Sequence, residues 1–139
     1  MSGGVTAMEH VLVLSDDIEQ AREFYCDVVG LELGARPPLE FAGYWLYAGQ
    51  TPCLHLAARG EYLAHASKLG LSVADGAGPG PVDHIAFRGV DYDETRSLLQ
   101  RKGVPAVLNE VPGGPRQLFV EDPGGVRIEL NFMNDTNGR

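Results

Sequence analysis

The sequence predicts an α+β fold of two tandem β-α-β-β-β modules, and three observations predict it. A shift of 74 residues lays Glu9-His10-Val11 on Asp83-His84-Ile85 and brings further landmarks into line in the same order. Each half opens on an apolar, β-branched run of strand length followed by a capped helical pattern. Each half closes on three short strand-like pieces separated by turn residues.

In the first half the strand is Met8 to Leu14, followed by Ser15-Asp16-Asp17 and a helix. Asp16 with Glu19 has the spacing of a capping box, and Gly30 stands where a helix would stop. Three strands are expected next, over Leu31 to Arg36, Tyr44 to Ala48 and Cys53 to Ala58, the last two joined by a tight turn at Gly49-Gln50-Thr51. A short helix is expected from Glu61 to Leu69, and Asp75 to Pro81 is too rich in glycine and proline for helix or strand. The second half repeats the order. Val82 to Arg88 is the strand, Asp91 and Glu94 have the capping spacing, Gly103 is the stop, and strands follow over Ala106 to Glu110, Arg116 to Glu121 and Val126 to Phe132. Asp122-Pro123-Gly124-Gly125 makes the final turn, and Asn134 to Arg139 reads as a frayed tail. Module 1 thus takes about residues 6–60, a linker about 61–81 and module 2 about 82–133, within one domain of residues 1–139.

The same shift places Asp17, Glu19 and Arg22 over Asp91, Asp93 and Arg96, Trp45 over Phe119, and Cys53-Leu54-His55-Leu56 over Arg127-Ile128-Glu129-Leu130. Around Gly30 and Gly103 it falls to 73, which implies one inserted residue at a helix end.

With 139 residues, 44% of them apolar, the chain can bury a real core. Its formal charge of -8, without any run of Lys or Arg, would repel nucleic acid and anionic membranes. Neither a signal peptide nor an apolar stretch of spanning length is visible, so a soluble, cytoplasmic protein is expected. Cys26 and Cys53 form neither a disulfide framework nor a zinc pattern and are read as reduced thiols.

Strand alternation puts His10 on one face with Met8 and Leu12, and Val11 and Val13 on the other. Both faces look buried, as in a sheet covered by its helix on one side and curled around a cavity on the other. His84 shares a face with Ala86, while His55 and Glu129 sit between apolar residues that point the opposite way. A single histidine in an apolar strand is commonly a hydrogen-bonded core residue. Three imidazoles and a carboxylate at equivalent places in two halves are a different matter, because burying them together without a cation is costly. His10, His55, His84 and Glu129 are therefore candidate ligands of a catalytic divalent metal.

The strand histidine, D-D-I-E-x-A-x-x-F-Y-x-D-V-V-G-L-E-L, D-H-I-A-F and L-F-V-E-D-P-G-G-V-R-I-E-L together resemble the vicinal oxygen chelate superfamily, which includes glyoxalase I and the bleomycin and fosfomycin resistance proteins. The likeness runs from about Met8 to Phe132, and the closing motif is its most specific part. It implies two modules forming an open, curled mixed sheet around a central cavity, with ligands from the first and last strands of each module. Those positions are His10, His55, His84 and Glu129, the four already found.

The resemblance also implies a reaction type, in which a divalent ion chelates two neighbouring oxygens of a small molecule and acts as a Lewis acid in lyase, isomerase or thiol-addition chemistry. One carboxylate among imidazoles suits Ni, Co, Mn, Zn or Fe better than Mg or Ca. Glyoxalase I carries a carboxylate where this chain has His55, so the expected catalytic residues are Glu129, the only carboxylate of the four, and His55, either as fourth ligand or as general base. Arg36, Arg88, Arg116 and Arg127 are the cations available for glutathione or another thiol co-substrate. His10, His84 and Glu129 also match the two-histidine, one-carboxylate set of Fe(II) dioxygenases, but the tyrosine of their closing motif is replaced by Phe119. The His-Gly that follows the last ligand of fosfomycin thiol transferases is replaced by Leu130-Asn131. The competing class is a metal-free drug-binding protein with an aromatic groove, for which Tyr44, Trp45, Tyr47 and Phe119 are candidates. Superfamily members commonly pair, so a homodimer is expected.

Overall fold

Apolar alternation decides which face of each sheet is covered, and it does so twice in this chain. The computed structural model describes residues 7–71 and 84–133. The chain divides into two compact units, Met1–Ala74 and Asp75–Arg139. The expected glycine- and proline-rich linker and the expected tail lie outside the described residues, as do Val82 and Asp83 of the expected second-module strand.

The first unit contains strand β1 (Val11–Ser15), helix α1 (Ile18–Glu23), strands β2 (Glu32–Gly34), β3 (Gly43–Ala48) and β4 (Thr51–Ala58), and helix α2 (Arg59–Lys68). The second contains β5 (His84–Arg88), α3 (Tyr92–Arg101), β6 (Val107–Glu110), β7 (Arg116–Glu121) and β8 (Arg127–Phe132). Each unit holds one four-stranded sheet, ordered β1-β4-β3-β2 and β5-β8-β7-β6. In both, the first and last strands run parallel side by side and the remaining pairs are antiparallel. The α+β fold of two repeated β-α-β-β-β modules is thus present, and neither sheet closes on itself.

Val13, Leu46, Leu54 and Leu56 form one buried face of the first sheet against Ala21, Phe24, Tyr25 and Val28 of the helical segment. Fully burying a leucine contributes roughly 1.5–3 kcal/mol, so this face alone anchors the unit. In the second unit Leu118, Val120, Ile128, Leu130 and Phe132 do the same, joined by Tyr92 and Leu99 of α3.

Helix α1 does not stop at Glu23 but widens into a π-helical turn over Phe24–Val29, closed by the backbone bond from Gly30 N–H to Tyr25 C=O. A π-turn houses one extra residue in a helix. It accounts for the residue by which the two halves differ, and Gly30 ends it at φ 96°. The cap of α1 differs from expectation by one position: the Asp17 carboxylate accepts from Gln20 N–H at 3.0 Å, and Asp16 pairs with Arg59 instead. Asp17 has the extended backbone an N-cap requires (φ -141°, ψ 92°). In α3 the expected cap holds, since Asp91 accepts from Glu94 N–H at 3.1 Å. Strand β1 begins three residues later than expected, with Val11 opposite Leu54 as its first pair. No helix of the described residues is long and apolar enough to cross a membrane.

Candidate metal centre

Within each unit, the parallel pairing of first and last strands puts one expected ligand beside the other. In the first unit Leu12 lies opposite His55 on β4, and Trp45 of β3 lies opposite His55 on the other side. The rings of His10, His55 and Trp45 stack, with His55 in the middle: its centroid is 3.8 Å from His10 at 15° and 4.1 Å from Trp45 at 8°. Trp45 had no place in the expected ligand set, and only the strand register reveals its partner.

Hydrogen bonds decide which nitrogens keep a lone pair. His55 Nε2 lies 3.1 Å from the Pro52 carbonyl, which can only accept, so Nε2 carries the hydrogen and Nδ1 the lone pair. Burial, and next the neighbouring His10, hold His55 below the usual histidine range, favouring the neutral ring. His10 Nδ1 lies 2.9 Å from Glu9 Oε1, so Nδ1 donates and Nε2 keeps the lone pair. Lone pairs lie in the ring plane. Two nearly parallel stacked imidazoles therefore aim along separate planes, and His10 and His55 do not point at a common ion in this arrangement.

In the second unit His84 Nε2 stands 3.4 Å from Glu129 Oε1. Ligand atoms each about 2.1 Å from one ion, at near-tetrahedral angles, have this spacing. The pair fits a shared divalent cation. The other carboxylate oxygen, Glu129 Oε2, accepts a 2.7 Å hydrogen bond from Asn131 Nδ2. Within either unit, no three His, Cys, Asp or Glu side chains among the described residues converge. The pairs His10/His55 and His84/Glu129 are the groupings that each unit forms by itself.

The expectation that both faces of the first strand are buried is not met, for Met8 is 76% exposed and Leu12 38%, against 6% for Val13. The helix covers only the Val13 face, so the histidine face is open within the unit. Tyr44 also leaves the expected aromatic groove: its hydroxyl bonds Glu19 on α1, on the opposite face from Trp45 and Tyr47. Of the four arginines, Arg36 donates to the Phe41 carbonyl and lies over that ring, and Arg116 lies 4.1 Å over Tyr92. Both have structural work within their own unit. His65 pairs with Glu40 at 3.2 Å and holds that carboxyl below its usual range. An open groove of about 790 Å³ is lined by Pro105, Ala106, Val107 and Phe119 with Glu121 and Arg127, and Phe119 is the cross-strand neighbour of Glu129.

The family profile described as Glyoxalase/Bleomycin resistance protein/Dioxygenase superfamily matches residues 7–130. The protein named Glyoxylase I 4 of Arabidopsis thaliana is 29% identical over 130 residues, spanning 91% of this chain and 70% of that one. A variant of the fosfomycin resistance protein FosX from Listeria monocytogenes, complexed with Mn(II) and 1S,2S-dihydroxypropylphosphonic acid, superposes with a TM-score of 0.69 at 14% identity, covering 94% of each chain. TnmS3, an antibiotic-binding protein from Streptomyces sp. CB03234, superposes with a TM-score of 0.66 at 24% identity, covering 96% of this chain and 98% of that one. These two likenesses show the fold.

Proposed function

Because the chain belongs to the glyoxalase/bleomycin resistance protein/dioxygenase superfamily, we propose that it is a divalent-metal-dependent enzyme of the glyoxalase I-like type. Its substrate is a small molecule with two neighbouring oxygens, and its chemistry is lyase or isomerase chemistry or the addition of a thiol. The observation that carries this reading is the 3.4 Å approach of His84 Nε2 to Glu129 Oε1, a spacing suited to two ligands of one ion.

In this reading His10, through Nε2, joins His84 and Glu129 as ligands. Imidazoles with one carboxylate suit Mn, Fe, Co, Ni or Zn, and three protein ligands leave positions for a bidentate substrate. When bound, the ion supplies Lewis acidity toward charge developing on a substrate oxygen. His55, named from the sequence as ligand or base, takes the second role here: burial favours its neutral ring, its Nε2 is tied to Pro52, and the stack turns its lone pair away from the plane of His10. It accepts and returns a proton at Nδ1. Glu129 acts as a ligand through Oε1, because Asn131 occupies Oε2. The FosX neighbour, complexed with Mn(II), supports a divalent metal on this fold.

Metal analysis by plasma mass spectrometry, after chelation and re-addition, tests the reading. About one transition metal per chain is expected, with Ni, Co, Mn or Zn directing substrate screens to isomerisation or thiol addition and Fe to oxygen chemistry. Absence of binding under excess metal overturns it. A second reading would then stand, favoured by the flat stack of Trp45, His55 and His10 on an open sheet face and by the antibiotic-binding neighbour: metal-free sequestration of an aromatic molecule.

A further inference from the structure

Three amide side chains cross the second sheet in a line that ends on the Glu129 carboxylate. Asn109 Nδ2 donates to Gln117 Oε1 at 2.7 Å, Gln117 Nε2 donates to Asn131 Oδ1 at 3.0 Å, and Asn131 Nδ2 donates to Glu129 Oε2 at 2.7 Å. Strand register builds the line, since Asn109 pairs with Gln117 across β6 and β7, and Gln117 with Asn131 across β7 and β8. Asn131 and Glu129, two residues apart on β8, share a face.

The direction of the line follows from its last member. An ionised carboxylate only accepts, so Asn131 must present its NH2 to Glu129. Its carbonyl oxygen then faces Gln117, which must present its own NH2, and the same logic turns Asn109. One anion sets the orientation of three amides on three strands. Each amide in turn resists rotation of the next.

The geometry points to Asn131, Gln117 and Asn109 as a positioning relay that holds Glu129 Oε2 in place and leaves Oε1 as the single ligand oxygen beside His84. This inference rests on the metal reading above and adds residues to it. Asn131 touches the ligand; Gln117 and Asn109 act only through Asn131. Partners of this kind, one step behind a metal ligand, change metal affinity about 10- to 100-fold when removed.

The test uses the full chain, Co(II) as probe, and the variants Asn131→Leu, Gln117→Met and their combination, with folding followed by circular dichroism. Asn131→Leu is expected to weaken Co(II) binding about 10- to 100-fold and to alter the visible Co(II) spectrum. Gln117→Met weakens it less, and adds nothing in the Asn131→Leu background, because a residue acting through another is silent once that other is gone. In metal-free protein, Gln117→Met also shifts the Asn131 side-chain amide resonance. Parental affinity and spectrum in both single variants overturn the relay. Should Asn131→Leu not fold, Gln117→Met alone decides in the same way. Failure of the parent protein to bind Co(II) overturns the metal reading, and an unshifted Asn131 resonance separately overturns the relay.

Discussion

His84 and Glu129 meet in one unit and His10 and His55 in the other, and the two pairs differ in what they can do. An imidazole and a carboxylate 3.4 Å apart leave room for a cation between their donor atoms. Two stacked imidazoles do not. The expected result is that His84→Ala and Glu129→Ala each abolish tight metal binding while leaving the fold, as read by metal retained after gel filtration and by circular dichroism. His55→Ala is expected to weaken metal binding less. It should depress turnover far more than it depresses metal content, which a side-by-side measurement of both would show. The sequence singled out all four as candidates, because the repeat placed them at equivalent positions in the two halves. The stacking of Trp45 on His55 and the bond from Gln117 to Asn131 were not legible, because each joins residues of different strands.

At the scale of elements, backbone capping and close approach carry the predictions. Asp17→Ala removes an N-cap bond at 3.0 Å and should lower stability by about 1 kcal/mol. Asp16→Ala loses only an exposed pair with Arg59 and should cost less, with urea titration separating the two. Gly43→Ala is the harsher change, since a Cβ there would lie 2.0 Å from the Leu56 carbonyl oxygen on the neighbouring strand. It should disrupt the β3–β4 pairing, seen as a fall in the thermal midpoint larger than that of Asp17→Ala. Strand β3 is also tied to α1 through the Tyr44 hydroxyl, Glu19 and Arg22. The Tyr44 bond first, and then Arg22, hold Glu19 below its ordinary value near 4.5. The folded state therefore binds a proton there less readily than the unfolded chain. The contribution is complete above the unfolded value and is lost as pH falls through the lowered folded one. Stability measured from pH 6 down to pH 2 should fall less steeply in Tyr44→Phe than in the parent. The one-residue mismatch between halves was visible in the sequence, but its form as a π-turn was not. A local pattern records that a residue is extra without saying how the helix absorbs it.

For the whole molecule, the proposed ligand set links metal to stability. An ion that binds the folded chain alone at a hundred times its dissociation constant stabilises it by about 2.7 kcal/mol. For a chain of this length that raises the thermal midpoint by roughly 5–10 °C. The shift should appear with Mn(II), Co(II), Ni(II) or Zn(II) in scanning calorimetry and vanish in the Glu129→Ala variant. An equal shift in that variant would place the responsible metal elsewhere.

By itself the sequence determined the α+β class, the duplication and the order of strands and helices, and it singled out four polar positions as candidates. These follow from local rules: period-two alternation, glycine stops, and carboxylates spaced to cap a helix. Only the tertiary structure decided that His55 lies between Trp45 and His10, that Asp16 pairs with Arg59 on α2, that Tyr44 turns to the helix side, and that a line of three amides ends on Glu129. Each of these depends on which residues of different strands or helices come side by side. Register between elements is set by the packing of whole faces, and a chain read one residue at a time does not contain it.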